Sequence, residues 1–258
     1  MNRPQPKEDF PWWLLITGVI AILLVVDVAT DPINTQIFKT LAKGISVTLQ
    51  VTVIAFCGAS ALGLLLAMGA QSRFLVLRQI VRLYVEIIRG VPILVLVLYF
   101  SFVFPPALTA AMNTIGVDFS VRDVPYIARA IAALVCAYSA FLSEVFRAGL
   151  QSVDPGQIEA AKALGLKPWQ RFRHVVFPQA FRVILPPWGN DFVAMVKDSS
   201  LVSVLGVADV TQMAKVAAAG NFRYFETYNV VAMIYLLLTI TLSLALRRLE
   251  HYLRAKQK

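Results

Sequence analysis

An ammonium and a carboxylate stand side by side at Lys197 and Asp198 within an apolar run, and these are the two groups that would meet a zwitterionic small molecule. Asn190 and Lys197 are seven residues apart, as are Asp191 and Asp198. On a helix these two neighbouring rows form one polar edge with Ala194 between them. Ser199, Ser200 and Ser203 extend it. Counted from Trp188 the charges lie about ten residues, or ~15 Å, deep, near the middle of a bilayer. A charge there costs ~2.5–3.5 kcal/mol on insertion scales, so each must face protein or water. Two readings follow: the pair lines a solute path, or each member is satisfied by a neighbouring helix in a buried network. Glu144 closes a second apolar run and precedes Arg147 by three residues. That spacing allows an ion pair at the membrane edge, or a carboxylate turned into the path.

Enzymatic chemistry is not suggested. The chain has no Gly-x-x-x-x-Gly-Lys-Ser/Thr phosphate cradle and no His-Glu-x-x-His, and its two histidines, His174 and His251, lie outside the apolar runs. Cys57 and Cys136 fall inside apolar runs as small buried hydrophobes, so neither a disulfide framework nor a metal site is expected. No catalytic residue is expected, and any ATP-derived energy has to enter from another protein.

The elements that position these residues are membrane helices. At 258 residues, 58% hydrophobic and 15% charged, with mean hydropathy +0.69, the chain carries too few charges for an ordinary soluble domain. Six spans are predicted, at about residues 12–29, 45–70, 83–104, 126–148, 187–208 and 228–246, giving an all-α polytopic membrane protein. Most of the basic residues, including Arg73, Arg78, Arg82, Arg171, Arg173, Arg247 and Arg248, then fall on one side with Arg3, Lys7, Lys256 and Lys258. The positive-inside rule puts both termini in the cytoplasm. The net charge of +9 sits at span ends rather than in a basic domain, so nucleic acid is not an expected partner. A signal peptide at the start is disfavoured by Asp27 and by the lack of a small-x-small cleavage site.

Within the spans, Ala59, Gly63 and Ala67 form a small-residue stripe suited to helix packing inside the chain. Thr48, Gln50 and Thr52 either face water or bond backbone. The third span is interrupted at Arg89-Gly90-Val91-Pro92. Either a fresh, short helix starts there and stops at Pro105-Pro106, or the span begins near Leu83 with Glu86 and Arg89 paired at its edge.

Between the fourth and fifth spans, residues 154–178 read as a small docking module. Asp154 caps a helix with Pro155 first and Gln157 three residues on, Glu159-Ala160-Ala161 follow, and Gly165 stops it. Pro168 opens a second short helix with Trp169, Phe172 and Val176 on one face and Lys167, Arg171, Arg173 and His174 wet, and Pro178 is expected to close it.

The pattern Glu-Ala-Ala, three residues, Gly, nine residues and Val175-Val176-Phe177-Pro178 resembles the cytoplasmic loop of permease subunits of binding-protein-dependent ABC importers, where Ile and Leu usually hold the apolar places. Gln179-Ala180-Phe181-Arg182, Leu185-Pro186-Pro187-Trp188-Gly189-Asn190 and Lys197-Asp198-Ser199-Ser200-Leu201-Val202-Ser203-Val204 are similar to the branch that serves polar amino acids of the histidine, glutamine, glutamate and arginine type. The resemblance implies the type I ABC importer transmembrane-domain fold over residues 44–250, with a cytoplasmic coupling helix inside segment 154–178. Residues 1–43 would add a tail, an extra anchor helix and an outer loop, and 251–258 a basic cytoplasmic tail.

It also implies two ATPase subunits that hold ATP and Mg, with no cofactor bound by this chain, a solute-binding protein outside, and a second permease copy or paralogue. The location would be a bacterial cytoplasmic membrane. By the same resemblance Glu159, Ala160, Ala161, Gly165 and Pro178 would couple to the ATPase. Glu144, Asn190, Lys197, Asp198 and Ser199 would line the path of an amino acid, although Val91 stands where related permeases commonly have Thr. The competing reading is a secondary transporter in which Lys197, Asp198 and Glu144 relay an ion without any ATPase.

Overall fold

In the computed structural model, which describes residues 12–255, the small-residue stripe organises the centre of the molecule. Ala59, Gly63 and Ala67 on helix α3 (Ile45–Ala70) are all buried, and α3 packs along α7 (Tyr126–Gln151). A methyl group added at Gly63 would lie 3.0 Å from Leu142 Cβ and 3.1 Å from the Ser139 carbonyl oxygen. A side chain there would have to push these neighbours back slightly, and in a membrane such close packing, rather than escape from water, drives helix association. Gly58 meets Val135 as Gly63 meets Leu142, so the two helices run parallel.

Helix α10 (Phe177–Asp198) returns antiparallel to α7, with Ile184 against Gly149 at one end and Tyr138 bonded to Asp198 further along. Helix α12 (Tyr224–Ala255) reverses direction again, Leu246 lying on Gly189 and the Tyr235 hydroxyl donating to Asp209 at 3.3 Å. Phe56, Leu134, Leu142, Met195 and Val202 form the main core among these helices.

A second core joins Ile37, Leu41, Val210, Ala214 and Ile234, with Leu24 and Val28 packed on it. It attaches α1 (Trp12–Thr30) to the periphery, against α2 (Pro32–Ala42) and α12. Helix α2 stands where an outer loop is expected. Asp31 caps it, accepting from the Ile33 amide at 2.8 Å, Pro32 takes its first turn, and Ile37 and Leu41 turn one face inward.

By length and composition four segments can cross a membrane: Pro32–Ala70, Ile93–Thr114, Tyr126–Gln151 and Tyr224–Glu250. Pro168–Leu205 with Val210–Asn221, bent by 49°, makes a fifth, and Leu15–Thr30 is a shorter apolar helix. Six apolar segments among the described residues therefore stand near the places expected, with two shifts. Arg3, Lys7, Lys256 and Lys258 lie outside the described residues, and α12 continues to Ala255, into the stretch expected to be a tail.

The third span is displaced. Helix α4 (Leu75–Gly90) is a separate amphipathic helix, the chain breaks at Val91-Pro92, and α5 (Ile93–Phe102) starts afresh. Pro105 and Pro106 do not stop the span: they occupy the opening turn of α6 (Phe104–Thr114), where a missing amide hydrogen costs nothing. The run is therefore 93–114 rather than 83–104. Arg89 lies over the Phe141 ring, 5.7 Å from its centre, in place of a bond to Glu86.

The fifth span begins earlier than residue 187. Pro178 does not close the second short helix. Helix α9 (Pro168–Arg171) passes into a π-turn at Phe172–Val176 and on into α10 without a break. Proline has no amide hydrogen and crowds the carbonyl four residues back, and the wider π-turn relieves that crowding. Pro186 and Pro187 lie inside α10. The span then tightens into a 3-10 segment, Ser199–Leu205, ends at Gly206 with φ +75°, and resumes as α11 (Val210–Asn221).

Candidate functional site

The docking module is built by its own caps. Asp154 accepts from the Gly156 amide at 2.7 Å and starts α8 (Pro155–Ala163). At the other end the Gly165 amide bonds the Lys162 carbonyl at 2.9 Å and the Leu166 amide bonds the Ala161 carbonyl at 3.1 Å. This is a Schellman closure with Gly165 left-handed at φ +75°, a conformation that a residue with a Cβ strains to hold. Glu159 and Ala160 are exposed, whereas Ala161 is buried against the module itself. Leu164, at the same corner, is 80% exposed. A leucine beside a helix-ending glycine, where a polar residue would serve solubility better, is the signal that could have marked it from sequence.

Gln157 does not reach back to Asp154 to complete the capping box. Its Oε1 accepts from Gln179 Nε2 at 2.6 Å, tying α8 to the first turn of α10. The contact joins residues 22 positions apart, which spacing alone does not reveal. From Pro168 to Asp198 the chain is one helix, so the second half of the module and the polar edge of α10 are two parts of a single element.

On that edge Asn190 and Lys197 are exposed and Asp191 and Asp198 half-buried, in the two rows expected. Asp198 Oδ2 accepts a hydrogen bond from Tyr138 Oη at 2.7 Å. Tyr138 is twelve residues, about 18 Å, from the start of α7 and thirteen from its end, so the charges do lie at mid-depth of the bundle. Lys197 has no carboxylate within 4.0 Å and no hydrogen-bond partner among the described residues. Ser199 stands differently: it is fully buried, with its hydroxyl on the Val196 carbonyl at 2.7 Å, turned away from the open face. Ser203 accepts from Lys215 at 2.9 Å.

Glu144 is separate from this edge. It forms an ion pair with Arg147 one turn along α7, and Arg147 also donates to Gln151 at 2.8 Å. It borders a small cavity of ≈ 40 Å³ between α3, α4 and α7, with Arg82 and Glu86 nearby. Thr48 and Thr52 are likewise buried and engaged: Thr52 bonds the Thr48 carbonyl, and Thr48 accepts from the Val210 amide at 3.3 Å. Sequence reasoning passed over Tyr138, and also Trp188, whose indole donates to Ser60 at 3.0 Å and locks α10 on α3.

An exposed helical corner, tied through Gln157 and Gln179 to a long helix with an open charge at mid-depth, is an arrangement expected of a membrane transport subunit. The chain belongs to the family of binding-protein-dependent transport system inner membrane components, whose model matches residues 59–257. It is 35% identical over 214 residues to the glutamine transport system permease protein GlnP of Escherichia coli, covering 83% of this chain and 93% of that protein. With the probable amino-acid permease protein YxeN of Bacillus subtilis it shares 37% identity over 209 residues, 80% of this chain and 88% of the relative. The solved structure of an amino acid ABC transporter with histidines superposes with a TM-score of 0.71 at 34% identity, over 83% of this chain and 94% of that one.

Proposed function

We propose that this permease subunit imports a polar amino acid and is driven by two ATPase subunits that carry ATP and Mg, while the chain itself binds no cofactor. A solute-binding protein would deliver the amino acid from outside, and a second permease copy or paralogue would complete the path. The chain lies in the cytoplasmic membrane with both termini inside, as the basic residues at its span ends favour. The amino-acid class rests on relatives named for glutamine or amino-acid transport.

The observation that carries the mechanism is the unbroken helix from Pro168 to Asp198, anchored to α8 through Gln157 and Gln179. Closure of the ATPases displaces α8, whose exposed Glu159, Ala160 and Leu164 form the contact. Ala161 packs the module from within, Gly165 sets the corner, and Pro178 sits where the helix enters the membrane. The displacement passes along α10 to Asn190, Lys197 and Asp198. There Lys197 meets the solute carboxylate, and Asp198, held by Tyr138, sets the position of the edge. Ser199 and Glu144 act at a distance from the solute, as packing and as an inner-edge ion pair. Driving the bundle from 1:99 to 99:1 between outward and inward openings takes about 5.5 kcal/mol, which only the partner can supply.

Two substitutions test this. Glu159→Lys reverses the charge at the contact, and Gly165→Val puts a β-branched residue at φ +75°, costing roughly 1–3 kcal/mol locally. Each abolishes ATP-dependent uptake by the reconstituted transporter while the chain still inserts in the membrane. Uptake at the wild-type rate in both variants would refute the coupling role.

A further inference from the structure

We infer that the helix leading into α10 carries a binding site for anionic lipid headgroups of the inner leaflet; this rests on the cytoplasmic placement of the docking module given above. Four aromatic side chains, Trp169, Phe172, Phe177 and Phe181, follow one another along one face with ring centres 5.9, 6.0 and 5.6 Å apart, the outer two pairs stacked and the middle pair tilted by 48°. All four are exposed, Trp169 by 67% and Phe177 by 49%.

The stack depends on the π-turn. Residues 172 and 177 are five apart, and in a regular α-helix five residues place side chains ~140° out of line. The π-turn at Phe172–Val176 bonds the Phe177 amide to the Phe172 carbonyl and brings the two rings together. The π-turn that accommodates Pro178 thus also lines up four exposed rings, none of them buried in the bundle. Such a row suits a surface that is apolar below and charged above.

The charges around the ladder are of one sign. Lys162, Lys167, Arg171, Arg173 and Arg182 are basic, and no Asp or Glu occurs between Glu159 and Asp191. Among the described residues none of these five has a carboxylate within 4.0 Å. The ladder also continues into α10, the helix that enters the membrane, so it crosses the headgroup level. Tryptophan favours that level, and Arg and Lys stems lie along apolar surface while their heads reach phosphate. A phosphodiester headgroup with its upper acyl chain matches both halves of this face.

The test uses the complete transporter in nanodiscs of phosphatidylcholine alone or mixed with phosphatidylglycerol, with bromine on the lipid chains either near the carbonyl or near the methyl end. The difference in emission between wild type and Trp169→Phe isolates Trp169 among the four tryptophans. Shallow bromines are expected to quench Trp169, and more strongly with phosphatidylglycerol. The double substitution Arg171→Gln/Arg173→Gln should weaken that lipid preference by roughly fivefold per charge removed. Quenching that ignores phosphatidylglycerol, or that comes only from deep bromines, overturns the headgroup site. Trp169 quenched only after the ATPase subunits are stripped away would assign the ladder to the protein contact instead. Since the readout is emission rather than uptake, failure here leaves the coupling test above standing, and the reverse.

Discussion

Glu144 and Lys197 are both charges in helices that cross the bundle, yet one is closed and the other open. Glu144 finds Arg147 one turn away on its own helix, so the pair needs no partner from another helix. Lys197 has a carboxylate as its next neighbour in sequence, but adjacent residues on a helix point about 100° apart. Asp198 is taken by Tyr138 of α7, and Lys197 is left facing outward at mid-depth. Charge inside a membrane protein is thus no guide to function by itself. On the function proposed above, a working charge is one that finds no partner among the described residues.

The largest effect is expected at the open charge. Lys197→Met keeps the length of the side chain and removes the ammonium, so it should lower uptake by about 10- to 100-fold, the worth of one hydrogen bond to a charged group. ATP hydrolysis by the assembled transporter, and capture of solute by the external binding protein, should persist. Uptake unchanged by this substitution would place Lys197 against a second subunit and close the contrast with Glu144.

The contrast was only half readable in the sequence, for a physical reason. Caps and corner glycines are local, so Asp154 and Gly165 follow from spacing, whereas spacing only permits an ion pair: Glu144 and Arg147 form one, and Glu86 and Arg89, equally spaced, do not. The small stripe Ala59, Gly63, Ala67 also follows from spacing, because close approach leaves a period in the residue sizes. Tyr138–Asp198 spans 60 positions and Trp188–Ser60 spans 128, and nothing in either local stretch names its partner.

Short amphipathic helices were missed because a hydropathy window averages them away. Helix α4 mixes Arg78, Arg82 and Arg89 with Val81 and Val85, which face inward. Helix α11 hides behind Asp209, an N-cap that accepts from the amides of Thr211 and Gln212. A search for caps followed by apolar residues at four-residue spacing would find Val210, Ala214 and Ala218, and Ile37 and Leu41 of α2 in the same way. Pro178 misled for the opposite reason: proline forbids one hydrogen bond, and a π-turn supplies a way around that single loss.

A middling effect is expected from the Tyr138–Asp198 bond, which separates positioning from solute contact. If Asp198 acts through Tyr138, Tyr138→Phe and Asp198→Asn should each impair uptake, and the double variant should be little worse than either single one. Asp198 is half-buried, so water can replace part of the lost bond, and the coupling in such a cycle should amount to about 1 kcal/mol. Strict additivity of the two losses would mean that Asp198 touches the solute independently of Tyr138.

The smallest effect belongs to the closed pair. Glu144→Gln and Arg147→Gln each remove a half-exposed ion pair, worth about 0–1 kcal/mol, so uptake should change by less than roughly fivefold. Arg147 keeps its bond to Gln151 in the first variant, and α7 keeps its packing on α3 in both. The double variant Glu144→Gln/Arg147→Gln should fall no further than the worse of the two singles, because the interaction is already lost. A collapse of transport in Glu144→Gln alone, with Arg147→Gln tolerated, would mean that this carboxylate is used without its arginine. Glu144 would then join Lys197 as an open charge during the transport cycle, and the cavity it shares with Arg82 and Glu86 would be the place to look for what it meets.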